Sequence, residues 1–224
     1  HQILTEKTPY LYYFCDLKNL SSILEYGILS RNKVLDSNLK DDQGDWSNKN
    51  VQINRSKTTI KLSNGKEVNA HDLVPTFFTP YNTTIYKAQE NLSLMGGDYK
   101  MNFVIIAINI RRLFEKKDDL AFAFSNRNIG ARSDNVNVFN DLNDIQNLDW
   151  KIINEPYKEF ENHYDSTFKE WAQKKSAEFL IENKIEPLFF DEVLCAGPIK
   201  ETIKQITNIR VEIVENLAVY KANN

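Results

Sequence analysis

The chain has 224 residues, 42% hydrophobic and 12% aromatic, a composition that folds around a core and excludes a disordered chain. Its formal charge of −3 and sequence pI near 5.7 exclude a strongly basic surface overall, so any contact with nucleic acid has to come from local charge. Two cysteines, Cys15 and Cys195, are too few for a disulfide framework or a zinc site and fit a reducing cytoplasm.

No Pro-, Gly- or Ser-rich linker interrupts the chain, so residues 1–224 read as a single domain. No apolar run is long enough to span a bilayer and no signal peptide is evident, so a cytoplasmic protein without a membrane partner is expected.

Residues 10–15 are an aromatic and apolar run that suits a buried strand. Asp16 can cap a helix that follows at once, with Leu17, Leu20, Ile23 and Leu24 on one face. Gly27 stands where a terminating residue belongs. Residues 30–73 are polar throughout, with Asn64-Gly65 predicting a hairpin turn. Residues 74–78 are a strand candidate, which Pro75 assigns to a sheet edge or to the strand's beginning. Gly96-Gly97 breaks the chain before residues 102–110, the clearest buried strand. Residues 120–139 read as a long loop that ends in a strand near Val136. Residues 141–148 predict a short helix, and residues 155–175 a longer one, from Tyr157, Phe160, Tyr164, Phe168 and Trp171 at helical steps. Residues 177–181 and 192–196 are strands. Gly197-Pro198 then opens a helix to about Ile206, and residues 210–214 alternate and close a sheet. Strands and helices mix without regular βαβ repetition, which predicts an α+β fold with a mixed or antiparallel central sheet and flanking helices.

Several chemistries are missing. The seven glycines form neither a dinucleotide-binding nor a P-loop pattern. His1, His71 and His163 do not cluster, and no metal site is expected. No serine elbow is present. Acid–base work falls to the 31 carboxylates, and spacing alone does not choose among them.

Four segments in order supply a choice. The first is residues 11–30, with Asn19-Leu20, Ser22-Ile23-Leu24 and Gly27. The second is residues 71–80, with Val74-Pro75 before Phe77 and Phe78, then Tyr81. The third is residues 125–131, with Phe139 and Leu148-Asp149-Trp150 downstream. The fourth is residues 174–181, with Ala177-Glu178 ahead of an apolar run. Together they resemble the DarT-type ADP-ribosyltransferases over nearly the whole chain. The chain departs from that family at Tyr13 and Asp16, where histidines are usual, and at Tyr81, where an arginine is frequent. These departures mark a divergent member.

The resemblance implies an ADP-ribosyltransferase-like fold and transfer of ADP-ribose from NAD to a base in single-stranded nucleic acid, DNA favoured over RNA. It also implies a toxin opposed by a macrodomain-type antitoxin. It places the catalytic glutamate at Glu178 and the NAD side of the site along Tyr13, Cys15, Asn19, Ser21, Gly27, Leu29, Phe78 and Tyr81. It assigns the nucleic-acid loop to Asn126, Arg127, Asn128 and Arg132. On a strand, Glu178 shares a face with Leu180, so a partly desolvated carboxyl with a raised pKa is expected. Plainer roles fit the same residues: Tyr13 in a core, Asn19 and Ser21 in a first helical turn, residues 121–138 as a polar surface loop. Transfer to RNA or protein, and a non-catalytic NAD- or nucleic-acid-binding module, are the alternatives.

Overall fold

In a computed structural model, residues 2–37, 49–94, 96–117, 119–130, 135–214 and 217–222 are described. In chain order the first half contains α1 (Gln2–Lys7), β1 (Tyr10–Asp16), α2 (Leu17–Tyr26), β2 (Ile28–Leu29), α3 (Arg31–Asp36), α4 (Lys49–Ser56), β3 (Thr59–Lys61), β4 (Glu67–Asn69), β5 (Leu73–Phe77), α5 (Thr83–Leu94), α6 (Tyr99–Asn102), β6 (Phe103–Asn109) and α7 (Ile110–Lys116). The second half contains β7 (Phe122–Ser125), β8 (Val138–Phe139), α8 (Trp150–Asn154), β9 (Lys158–Phe160), α9 (Ser166–Lys175), β10 (Glu178–Glu182), β11 (Lys184–Ile185), β12 (Phe190–Cys195), α10 (Lys200–Ile206), β13 (Arg210–Ile213) and β14 (Tyr220–Ala222).

Eight strands form one sheet in the order β13-β12-β6-β1-β5-β10-β7-β8. Every pairing in it is antiparallel except β12 with β13. This matches the expected α+β class.

Each strand alternates between two apolar layers. On one face Leu11, Cys15, Val104, Ile106, Phe179, Ile181 and Val193 meet Leu20 of α2 and Leu113 of α7. On the other, Phe77, Phe103, Ile105 and Leu194 meet Ile85 and Ala88 of α5. Farther along that second face, Leu180 and Ala123 pack on Ile60, Leu62 and Val68 of the β3–β4 hairpin. Both faces of β6 are therefore covered, which accounts for its unbroken Phe-Val-Ile-Ile-Ala-Ile run.

The polar stretch 30–73 carries more structure than its composition suggests, including α3, α4 and the β3–β4 hairpin. Its turn is the expected one, with Gly65 at φ 82° and the Leu62 N–H donating to the Lys66 carbonyl at 2.8 Å. β5 is interior to the sheet rather than at its edge. Pro75 is tolerated because β1 pairs with β5 only at Tyr12↔Phe77, leaving one flank of the strand unpaired at the ring.

Residues 122–125 form β7, between β10 and β8, and not a loop. The expected helix over 155–175 divides into β9, parallel to β14, and α9, which starts at the Asp165 cap. Phe160, Phe168 and Trp171 share one aromatic cluster across that break, so helical spacing imitated a continuous helix. Residues 142–147 form a 3-10 helix rather than an α-helix.

Candidate active site

Glu178 opens β10, flanked by Phe77 of β5 and Ser125 of β7 in register. It is only 1% exposed. The register places its side chain on the second face of the sheet, beneath α4 and the turn that follows β7.

Arg55 of α4, 123 residues away in sequence and 5% exposed, donates from Nη1 to both carboxylate oxygens at 3.2 Å. The Ile129 N–H donates to Oε2 at 3.0 Å. Burial pushes the Glu178 carboxyl above the usual carboxylate range, and Arg55 and the Ile129 N–H oppose that shift. The Arg55 Nη2 is buried without a hydrogen-bond partner.

The turn after β7 is tied down at successive residues. Ser125 Oγ donates to the Arg127 carbonyl at 2.6 Å. Asn128 Oδ1 accepts from the Gly130 N–H at 2.9 Å. Asn54 Nδ2, from α4, donates to the Gly130 carbonyl at 2.9 Å. Ile129 is thereby presented to Glu178 with its N–H forward.

Of the residues expected along the NAD side, Tyr81 packs against the second-face cluster that contains Phe77 and against the cluster of Phe160 and Trp171. Tyr13, Cys15 and Phe78 face the opposite core. Phe78 packs edge-on against Trp150 and Phe179 at 5.3 and 6.1 Å between centroids. The cross-strand row through Glu178 runs Phe77↔Tyr12, so Tyr12, and not Tyr13, shares its face. Asn19 is half-buried and Ser21 exposed, both on α2. Gly27 ends α2 at φ 86°, and a Cβ there would come within 2.4 Å of the Ile185 carbonyl oxygen. Its bareness lets β2 lie against β11, where Leu29 pairs with Lys184.

In the expected nucleic-acid loop, Asn126 accepts from the Asn137 N–H at 2.8 Å and closes the β7–β8 hairpin. Asn128 also reaches Thr84 Oγ1 at 3.4 Å. Arg127 is 8% exposed and bound to Gln173 and Glu170 of α9. Its Nε is buried without a partner. Arg132 lies outside the described residues. Nearby, Lys174 pairs with Asp149 and Glu170, and Lys175 is buried.

Sequence reasoning missed Arg55 and the Ile129 N–H. Arg55 sits in a polar helix with no motif around it, and only the folded register brings it to Glu178. Among the described residues no group of three or more His, Cys, Asp or Glu side chains is arranged to hold a metal ion.

The family model described as "ssDNA thymidine ADP-ribosyltransferase, DarT" matches residues 12–220. The chain belongs to the DarT family. It is an ADP-ribosyltransferase, and a buried glutamate on a central strand is in keeping with that chemistry.

The fold agrees with solved members. Thermus sp. 2.9 DarT in complex with ADP-ribosylated ssDNA superposes with a TM-score of 0.76 at 20% identity, covering 95% of this chain and 97% of that one. The same protein in complex with NAD+ gives 0.68 at 20% identity, covering 94% and 97%. Thermosipho africanus DarTG in complex with ADP-ribose gives 0.72 at 18% identity, covering 93% of this chain and 50% of that one. A comparison with curated protein sequences gave no match.

Proposed function

We propose that this chain transfers ADP-ribose from NAD to thymidine in single-stranded DNA, with Glu178 as the catalytic carboxylate. The observation that carries the proposal is a carboxylate buried in the middle of a sheet and met by one guanidinium and one backbone N–H.

The reaction breaks the bond between the nicotinamide nitrogen and the ribose anomeric carbon. Nicotinamide leaves neutral with the bonding pair, and positive character develops on the sugar. A carboxylate beside that sugar stabilises the charge, as in glycoside hydrolysis. Thymidine N1 already bears the deoxyribose, so N3 is the ring nitrogen free to attack. The new bond joins the anomeric carbon to N3, and the N3 proton passes to the Glu178 carboxylate. Arg55 opposes the effect of burial on that carboxylate and so favours the ionised form that accepts the proton.

Tyr81, packed against the second-face cluster that contains Phe77, is proposed to stack on nicotinamide or on the base. Asn19 and Ser21 contribute polar groups from α2. Tyr13, Cys15, Gly27, Leu29 and Phe78 act through backbone and shape, since their side chains or pairings serve the opposite core and the β2–β11 ladder. Asn126, Arg127 and Asn128 shape the loop that meets DNA. A paired base hides N3 in its hydrogen bond, which favours single strands over duplex.

The complexes of Thermus sp. 2.9 DarT with NAD+ and with ADP-ribosylated ssDNA support NAD as co-substrate and DNA over RNA as acceptor. The likeness to DarTG supports a toxin with an antitoxin partner, which is proposed to be of the macrodomain type. The chain is proposed to act as one catalytic unit in the cytoplasm. No helix among the described residues is long and apolar enough to cross a membrane.

Mass spectrometry of the protein incubated with NAD and matched DNA and RNA oligonucleotides tests this reading. An adduct of one ADP-ribose on thymidine-containing DNA is expected. Glu178→Ala should lower its rate by about 10²–10³-fold while the protein stays folded. Full activity in that variant overturns the assignment of Glu178. Modification of RNA alone overturns the acceptor.

A further inference from the structure

We infer that Val51, Asn54 and Gly130 form a clasp that positions both donors on Glu178, and that the missing side chain of Gly130 is what allows the clasp to close. The inference rests on the reading of Glu178 as the catalytic carboxylate, and it assigns positioning roles to three residues that do not touch the carboxylate.

Two separate pieces of chain supply the donors. Arg55 comes from α4 and Ile129 from the turn after β7. They meet one residue away from each donor: Asn54 precedes Arg55, Gly130 follows Ile129, and the Asn54 amide donates to the Gly130 carbonyl at 2.9 Å. The contact is close as well as polar. A Cβ on Gly130 would lie 2.4 Å from Val51 Cγ1, 3.1 Å from the Val51 carbonyl oxygen and 3.2 Å from Arg55 Cγ.

Gly130 is outside the positive-φ glycines, so its bareness provides room rather than an unusual backbone. One side of the gap is the first turn of α4, and the other is the backbone that aims the Ile129 N–H. Any group placed between them moves α4 and the turn apart. That movement withdraws Arg55 or Ile129 from a carboxylate that is only 1% exposed. A shift of about 1 Å at such a site costs on the order of 10²-fold in rate.

The test compares wild type with Gly130→Ala, with the double variant Val51→Ala/Gly130→Ala, and with Asn54→Ala. Two readouts are taken on each: the kinetics of NAD-dependent transfer to a thymidine oligonucleotide, and the titration of the Glu178 side-chain carbon by NMR. Gly130→Ala is expected to lower kcat about 10- to 100-fold with smaller changes in KM. It should also raise the pH at which Glu178 titrates, because the donors that oppose burial have withdrawn. The double variant removes the methyl that a Cβ would strike, and should recover most of both losses. Asn54→Ala introduces no overlap and should move both readouts in the direction of Gly130→Ala by a smaller amount, which covers failure of Gly130→Ala to fold.

Unchanged kcat and unchanged titration in Gly130→Ala and Asn54→Ala overturn the clasp. So does a double variant no better than Gly130→Ala. A wild-type protein that transfers nothing, but whose Glu178 titration shifts in Gly130→Ala and returns in the double variant, overturns the catalytic reading and supports the clasp.

Discussion

At Glu178, burial and the proposed role in transfer pull in opposite directions. Burial disfavours ionisation, and the proposed proton acceptor is the ionised form. The raised pKa means that the folded protein holds this proton at a pH where the unfolded chain has already released it. The associated stability is therefore complete below the ordinary carboxylate range and is lost as pH rises through the raised value. Glu178→Gln keeps the shape and cannot ionise. Its melting temperature relative to wild type should increase as pH climbs from that range toward neutrality. Thermal unfolding of the two proteins at a series of pH values measures this, and a constant difference contradicts it. Residue by residue, little of the proposed site is legible in spacing alone: only the family resemblance singles out Glu178 among the carboxylates, and nothing in the polar segment around Arg55 points to β10. The parity of the β1 register turns the Tyr12 side chain to the Glu178 face and the Tyr13 side chain to the opposite core, and that parity is fixed by pairing partners that no local pattern reveals.

At the scale of elements, sequence periodicity read well where one element had one environment. The β6 run and the capped helix after Asp16 are such cases. It failed where two elements shared a cluster, as with β9 and α9, and where a strand was only four residues long, as with β7. The end of α9 shows a further limit. Lys175 looks like half of a surface basic pair, but its Nζ donates to the carbonyls of Ile152 and Ile153 at 3.0 and 2.8 Å and to that of Glu155. It thereby caps the C-terminus of α8 from a neighbouring helix. Burial pushes its ammonium down to about 8, opposed by the Glu155 carboxylate. Lys175→Met keeps the length of the stem and leaves three carbonyls without this donor. We expect a loss of about 1–3 kcal/mol, which for a chain of this size lowers the melting temperature by roughly 2–4 °C per kcal/mol. A melting temperature equal to that of wild type would show that the cap contributes nothing.

For the whole molecule, composition and alternation were enough to reach an α+β fold with a mostly antiparallel sheet, because strands two residues in period announce themselves one at a time. The strand order was not legible, since it depends on pairings between segments distant in sequence, such as β1 with β6 and β5 with β10. That order has a consequence for the two cysteines. Cys15 and Cys195 both lie opposite Val104, on β1 and β12 to either side of β6. Two strand spacings separate them by about 10 Å, beyond the reach of a disulfide. Both are buried, and burial pushes the Cys15 thiol up, which disfavours its reactive thiolate. Both sulfurs belong to the core cluster that α2 and α7 cover on that face of the sheet, so neither is exposed without opening that layer. The pair therefore acts as a built-in stopwatch for global opening. An alkylating reagent should label both at one common rate that accelerates with denaturant. Peptide mapping that finds one thiol labelled well before the other would show that the sheet opens from one side first.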